Sequence, residues 1–373
     1  MPSTGSASRV AVVGAGIAGL AAAVALRQRG VEAVVYERAP ALRELGAGIA
    51  LWPNATRALR DLGVLDAVAG VSGPAETVHV ADPSGHPLVR FSAARPDAPS
   101  LCVRRRDLVA ALGAALPTDV IRYCKRFVSA EIRAGAVGLR FADGTRAEAD
   151  VLVGADGLRS RVRNTLVQHV EPTARGYTAW RGVAPHPGDL GADAVEAWGD
   201  RQRFGLFGLG EGLVYWYALA SRPPGDRSPL DLGSLADRFS DWHPRVAATI
   251  RATDPAEATR HDVFDRPRGR WRRGRVALVG DAAHGMTPAL GQGGAQGLED
   301  GVALGRLLAN GGTLDAALAA FVRERRRRAV EIAWRSRASA RLGQLGGRAG
   351  RVRNAAARAM PDRLFEAAFT AAF

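Results

Sequence analysis

The sequence predicts an α/β protein: a parallel-sheet domain assembled from discontinuous segments, an antiparallel-sheet domain, and C-terminal helices. Three observations predict it. Residues Arg9 to Leu26 run as a short apolar strand, a glycine turn and an apolar helix, the pattern of a buried parallel strand feeding a helix. An apolar strand running into a glycine turn returns at Val151–Gly157 and again at Val276–Asp281. Between 176 and 265 the strands are instead alternating and aromatic, as in antiparallel sheet with one solvated face.

Composition narrows the function classes. A chain of 373 residues with 47% hydrophobic content and 44 glycines is globular and large enough for a substantial core. The net charge of +14 is almost entirely arginine, Lys125 being the sole lysine. The basic runs Arg266–Arg275 and Arg323–Arg328 hold few aromatics and read as solvated faces. A basic nucleic-acid or membrane-surface binder is the remote alternative, and no nucleic-acid partner is expected. Cys102 and Cys124 have neither disulfide nor metal spacing, which fits a reducing cytoplasm. The histidines (His79, His86, His169, His186, His243, His261 and His284) form no HExxH or paired motif, so no metal is expected. The apolar run from Val10 to Leu26 imitates a signal peptide or short span. Its glycines fall at phosphate-turn spacing instead, and no other segment reaches membrane length, so a protein without an integral membrane segment is expected.

The elements follow in order. Residues 9–14 form a buried strand, 17–30 a helix closed by Gly30, and 32–37 a second buried strand. Residues 46–54 form a glycine-rich loop, and Pro53 opens a helix to about Gly63. Short strands over 75–91 surround a turn at Asp82–Gly85. Residues 95–100 are loop, and Arg105–Leu116 is a helix stopped by Pro117. A β-meander over 126–150 turns at Asp143–Gly144. Helical spacing recurs over Leu314–Trp334, and another helix covers 350–372. These elements group into one domain from 1–74, 101–175 and 266–340, a second from 75–100 and 176–265, and a C-terminal helix over 341–373.

Three turns carry chemistry. Gly14-x-Gly16-x-x-Gly19 follows a strand, opens a helix, and precedes Glu37 at the end of the next strand. Gly14 permits the tight turn, Gly16 admits a pyrophosphate, Gly19 lets helix and strand pack, and Glu37 can accept from ribose hydroxyls. The pattern reads as a dinucleotide turn, a Gly/Ala-rich buried helix followed by a surface acid being the other reading, and it does not separate FAD from NAD. Asp156-Gly157-Leu158-Arg159-Ser160-Arg161-Val162-Arg163 also fits an ordinary strand-to-helix turn capped by Asp or Ser. In Gly280-Asp281, followed by Pro288, Gly291, Gln292, Gly293 and Gly294, Asp281 can cap a helix or bind a ribityl hydroxyl. The backbone N–H groups there suit an anion at a helix N-terminus. Two such turns far apart in the chain suggest one long cofactor with two polar ends.

Together these segments resemble the group A FAD-dependent aromatic monooxygenases, typified by para-hydroxybenzoate and salicylate hydroxylases. The shared motifs are Gly14/Gly16/Gly19/Glu37, Asp156/Gly157/Ser160/Arg163, and Gly280-Asp281-Ala282-Ala283-His284 with Pro288/Gly291/Gln292/Gly293. The stretch Gly46 to Arg57 is similar to the salicylate- and urate-hydroxylase branch. The resemblance implies a Rossmann-like FAD-binding domain made of the discontinuous segments and an antiparallel-sheet substrate domain. It implies NADPH or NADH as reductant and a small-molecule aromatic or polycyclic substrate. O2 would add at flavin C4a, and the resulting hydroperoxide would deliver one oxygen atom, most simply by hydroxylation. An FAD oxidase or dehydrogenase of similar fold is the alternative.

The resemblance also assigns residues. Glu37 would hold the adenosine ribose, with Ala18 in the first turn and Arg38 beside it. Arg105 would contact the cofactor between pyrophosphate and ribityl, and Asp156 would shape both cofactor and nicotinamide interactions. Asp281 would bind the ribityl or pyrophosphate region. Residues Gly291, Gln292, Gly293, Gly294 and Ala295 would present N–H groups to the flavin pyrimidine edge, and Gly48 and Ile49 would lie over the flavin. Pro288, lacking an N–H, cannot protonate the hydroperoxide. Arg181, Arg203 and Tyr215 fall on strands that should face the flavin, Arg203 anchoring an anion or lowering a substrate pKa. Outward sheet positions are the other reading for these three. His284 reads as structural, and Trp52, Phe207 and Trp216 as pocket wall or core. A monomer or homodimer is expected.

Overall fold

The computed structural model describes residues 8–42, 47–133, 135–185, 190–226, 228–266 and 268–373; Gly46 and His186 lie outside these. Distant chain segments meet in one six-stranded sheet. Arg9–Val13 is central, parallel to Glu32–Tyr36 on one side and to Val151–Gly154 on the other, with Val276–Leu278 parallel beyond the latter. Ile121–Arg122 and Arg272–Arg273 complete its edges. The register sets Val13 against Gly154 and Gly154 against Leu278, so these strands end level. Parallel strands present their carboxyl ends at one edge, and all three glycine turns therefore meet there.

Two helices cover the edge that carries the turns. Ile17–Arg27 packs along Gly293–Ala309 through residues one turn apart, Gly297, Gly301 and Gly305, against Ala18, Ala21 and Ala25. A Cβ on Gly301 would stand 2.6 Å from the Ala21 carbonyl carbon, and one on Gly305 2.6 Å from that of Ala25. Backbone thus meets backbone, closer than side chains larger than hydrogen on the second helix allow.

A seven-stranded sheet faces this unit. Its order is 258–265, 173–185, 213–221, 202–210, 193–198, 77–81 and 87–92, antiparallel except where Asp193–Trp198 pairs in parallel with Thr77–Ala81. Side chains alternate between its faces. The outer face carries Trp180, Phe204, Leu206, Trp216 and Ala218, packed on Leu235, Val246 and Ile250 of helices Leu232–Arg238 and Pro244–Arg251 and on Phe239, which follows the first. Trp216 is core, its Nε1 donating to Thr253 Oγ1 at 2.8 Å. The inner face looks back toward the three turns.

Several boundaries differ from expectation. Residues Gly48–Leu51 within the expected loop are a strand paired with Leu101–Arg104. The expected helix from Leu314 does not end near Trp334 but runs to Gly343, straight through position 340. The expected single helix over 350–372 is two, Gly347–Ala359 and Asp362–Thr370. Pro361 lies between them and supplies no N–H to continue the first. The meander is observed as Phe127–Ile132, Val137–Phe141 and Arg146–Ala149.

Replacing Gly301 by Ala forces a methyl into the Ala21 backbone. The expected cost is about 1–3 kcal/mol of unfolding free energy, read by chemical denaturation. An unchanged midpoint would mean the two helices can separate without penalty.

Candidate functional site

The first turn is built by exclusion. Gly14 has φ +107°, and a Cβ there would lie 2.5 Å from the Ala155 carbonyl oxygen; one on Gly19 would lie 1.9 Å from the Gly14 oxygen. The chain therefore folds tightly and starts a helix whose N-cap, Gly16, gives no side-chain hydrogen bond, with no acidic residue in its first turn. Glu37 braces the turn from the next strand, accepting from Ala15 N at 2.9 Å and Ala39 N at 2.8 Å. Arg38 is exposed beside it.

The third turn is built the same way. Gly280 has φ +57°, and a Cβ would lie 2.6 Å from the Ala18 methyl. Asp281 opens the short helix Asp281–His284. After Pro288–Leu290, Gly291 takes the left-handed conformation, φ +63°. Helix Gly293–Ala309 follows, also with no side-chain cap and no acidic residue in its first turn. The N–H groups of Gly293, Gly294 and Ala295 thus lack helical carbonyl partners.

Buried polar contacts hold this turn. Gln292 exchanges amide hydrogen bonds with Asn54 at 2.9 and 3.2 Å, and Trp52 Nε1 donates to Leu290 O at 3.2 Å. Asp300, fully buried, accepts from Gly280 N at 2.9 Å and Arg325 Nε at 2.9 Å, and its Oδ2 lies 2.6 Å from His284 Nε2. Burial pushes the Asp300 carboxyl up, but His284 and Arg325 outweigh it and hold the carboxyl below its ordinary value. His284 is 0% exposed, a brace rather than a solvent-facing base. Arg325, read from the sequence as part of a solvated basic run, is instead 5% exposed because Asp300 and Glu299 pair with it; Asp300 was not singled out.

The Asp156 segment is a clamp. Asp156 accepts from Arg161 N at 2.7 Å, Val162 N at 3.0 Å and the Ser160 hydroxyl, the capping reading of its carboxylate. The buried Arg163 donates to Ala282 O at 3.3 Å and Val170 O at 3.2 Å. The middle motif therefore holds one carbonyl of the third, that of Ala282.

One cavity of about 550 Å³ joins these turns to the inner face of the large sheet. On the turn side it is lined by Gly16, Ala18, Gly48, Ile49 and Arg105, and by Asp281, Pro288, Gly291, Gly293 and Gly294. On the sheet side it is lined by Arg181, Arg203 and Tyr215, with Phe207 and, beyond the sheet, Trp52. Gly14, Gly19, Glu37, Arg38, Asp156, Gln292 and Ala295 do not line it. They shape, brace or lie beneath the turns.

Among the lining residues that the sequence reading missed are Glu196, Tyr217, His261 and Phe369. The first two sit in alternating runs whose facing could not be fixed from sequence. Arg203 is 3% exposed and donates to Glu196 from Nε at 2.7 Å. Burial opposes its charge, and Glu196 and Tyr217 more than restore it. Burial also pushes the Tyr215 hydroxyl up, with Arg181 pulling the other way. For His261, burial first and then Arg181 and Arg105 lower the imidazole pKa and favour its neutral form.

Two uncapped helix starts opening on one cavity, each free of acidic residues in its first turn, fit a long cofactor with a diphosphate and a polar ring edge. The family comparison agrees. A model described as an FAD binding domain matches residues 7–336. The chain is 39% identical to the aurachin C monooxygenase/isomerase of Stigmatella aurantiaca, covering 90% of this chain and 89% of that one. It is 37% identical to the 6-hydroxynicotinate 3-monooxygenase of Pseudomonas fluorescens, over 80% and 82%. The structure of HpxO from Klebsiella pneumoniae with FAD and uric acid superposes with TM-score 0.90 at 29% identity, over 98% and 96% of the chains. The chain belongs to the FAD-binding family of flavin-dependent aromatic monooxygenases, and FAD is its cofactor.

Substituting Asp300 by Asn removes the buried anion facing Arg325 and His284. The expected loss is about 3–5 kcal/mol of stability at neutral pH, by denaturant unfolding, with less flavin retained on purification. Because the native carboxyl titrates below its unfolded value, its contribution is complete above about pH 4 and disappears as pH falls through the lower native value. The variant should therefore lose part of the acid limb of the stability profile.

Proposed function

We propose that this family member is an NAD(P)H-dependent hydroxylase of a small aromatic molecule. The balance is ArH + O2 + NAD(P)H + H+ giving ArOH + NAD(P)+ + H2O. The observation that carries the reading is the single cavity shared by the flavin-type turns and an aromatic sheet face. Bound FAD would supply the electron transfer and the activation of O2.

The residues divide the remaining work. Gly16 and Ala18 would receive the pyrophosphate at the first helix start, with Gly14 and Gly19 allowing its approach and Glu37 and Arg38 near the adenosine ribose. Arg105 and Asp281 would bind the middle of the cofactor, and Asp156 would act through the turn it caps. The N–H groups from Gly293 to Ala295 would face the flavin pyrimidine edge, where a helix N-terminus stabilises negative charge by about 0.3–2 kcal/mol. Gln292 would support that turn through Asn54. Gly48 and Ile49 would cover the ring. Pro288 lines the same wall without a proton to give.

On the other wall, Phe207, Tyr215, Tyr217 and Trp52 would bound a flat ring and exclude water. Arg181 and Arg203 would orient its polar groups. His261, held neutral, is the lining residue suited to accept a substrate proton. Aromatic rings that lose a proton become more electron-rich, which favours oxygen transfer. The unpaired Cys102 and Cys124 support a cytoplasmic location, and a monomer or homodimer is the assembly proposed.

The test is stoichiometric. Purified protein should be yellow, and an accepted aromatic should accelerate NAD(P)H oxidation with one labelled atom from 18O2 in the product. Stoichiometric H2O2 with every aromatic supplied would overturn oxygen transfer.

A further inference from the structure

Glu196, ion-paired with Arg203, is one of three carboxylates in the cavity lining, with Asp262 and Asp281. Ala194, Glu196 and Trp198 alternate onto the inner face of strand Asp193–Trp198. Glu196 lies opposite Gly205, which in turn lies opposite Tyr217. A Cβ on Gly205 would sit 2.2 Å from the Tyr217 ring. That glycine lets the ring lie over the strand, and the Tyr217 hydroxyl donates to Glu196 Oε2. The Glu196 Oε1 accepts from Arg203 Nε at 2.7 Å, and from Arg203 Nη2 and Trp198 Nε1.

The arginine is thereby spent as a charge. Glu196 and Arg203 both line the cavity and cancel. The Arg203 Nη1 atom is buried and has no hydrogen-bond partner among the described residues. Gly343 closes over the guanidinium from the long helix, where a Cβ would lie 2.8 Å from Nη1. The neighbouring Arg353 is outside the cavity lining; it donates to the carbonyls of Gly199, Leu342, Gly343 and Leu345 and stacks on Trp198 at 5.2 Å. The cavity's other arginines, Arg105 and Arg181, act together on Tyr215 and His261.

We propose that Glu196 sets the substrate class of this cavity: an uncharged aromatic carrying neutral hydrogen-bonding groups, with aromatic carboxylates disfavoured. This rests on the hydroxylase reading above. A substrate carboxylate beside Arg203 would lose its water, find a guanidinium whose charge Glu196 already balances, and meet Glu196 as a like charge. A neutral hydroxyl, ring N–H or carbonyl meets no such penalty, and Tyr217 and Glu196 offer it both a hydroxyl and an acceptor. Glu196 is therefore a specificity residue acting by repulsion and by neutralising Arg203.

Calorimetric titration of the FAD-loaded protein with matched ligands tests this. Suitable pairs are phenol with salicylate and 2-hydroxypyridine with 6-hydroxynicotinate. The uncharged member of each pair should bind at least about tenfold more tightly. In Glu196→Gln, which keeps the shape and frees the arginine charge, the preference should shrink by about tenfold or reverse. Carboxylates binding wild type as tightly as their partners would overturn the proposal, as would a ratio unmoved by the variant. If the variant does not fold, the wild-type ratio still decides. Binding heats need no turnover, so a protein with the neutral preference but no oxygenated product would count against the hydroxylase reading alone.

Discussion

The close contact between helices Ile17–Arg27 and Gly293–Ala309 is the constraint on which the site depends. Each helix begins at an uncapped turn, and one elongated cofactor can reach both only if the helices lie side by side. Gly297, Gly301 and Gly305 permit that approach, and Ala18, at the head of the alanine row, also touches Gly280 across the turns. The parallel sheet brings the turns to one edge, but the glycine–alanine seam fixes their spacing. Asp300 and Arg325 then tie the second helix to the long helix and to His284. The seam is thus tied to a third helix by buried, charge-assisted hydrogen bonds.

The opposite wall obeys a different rule. A sheet strand has two faces, and a shift of one residue exchanges them. Register places Arg181, Arg203, Phe207, Tyr215 and Tyr217 on the cavity face and Trp180, Phe204 and Trp216 on the helix-covered face. One wall of the cavity therefore combines apolar rings with a few polar groups whose charges are matched. The C-terminal helix adds to it: Phe369 lines the cavity and packs edge-on to Trp52 at 5.1 Å. This helix comes last in the chain yet completes a pocket whose first residues come from the opening turn.

Much of the cofactor side was legible because its signals are local. A glycine at positive φ, a strand ending in it and an uncapped helix start are properties of a few neighbouring residues. The pattern alone located Gly14, Gly19, Gly280 and Gly291, all at constrained positions here. Asp156 was visible as a motif member together with the cap it makes, and Gln292 as a motif member, but its partner Asn54, 238 residues away, is found only by folding. The helix boundaries at Trp334 and over 350–372 were misread because helical spacing persists past one and a proline interrupts the other.

By itself, the sequence determined the α/β class, the order of the three turns and the aromatic character of the second sheet. Those follow from backbone sterics and side-chain periodicity, which act over a few residues. Only the tertiary structure decided that Glu196 faces Arg203 and Tyr217, that Asp300 braces the Gly280 turn, and that Phe369 lines the cavity. Such pairings depend on strand register and helix approach summed over the whole chain, and no local pattern encodes them.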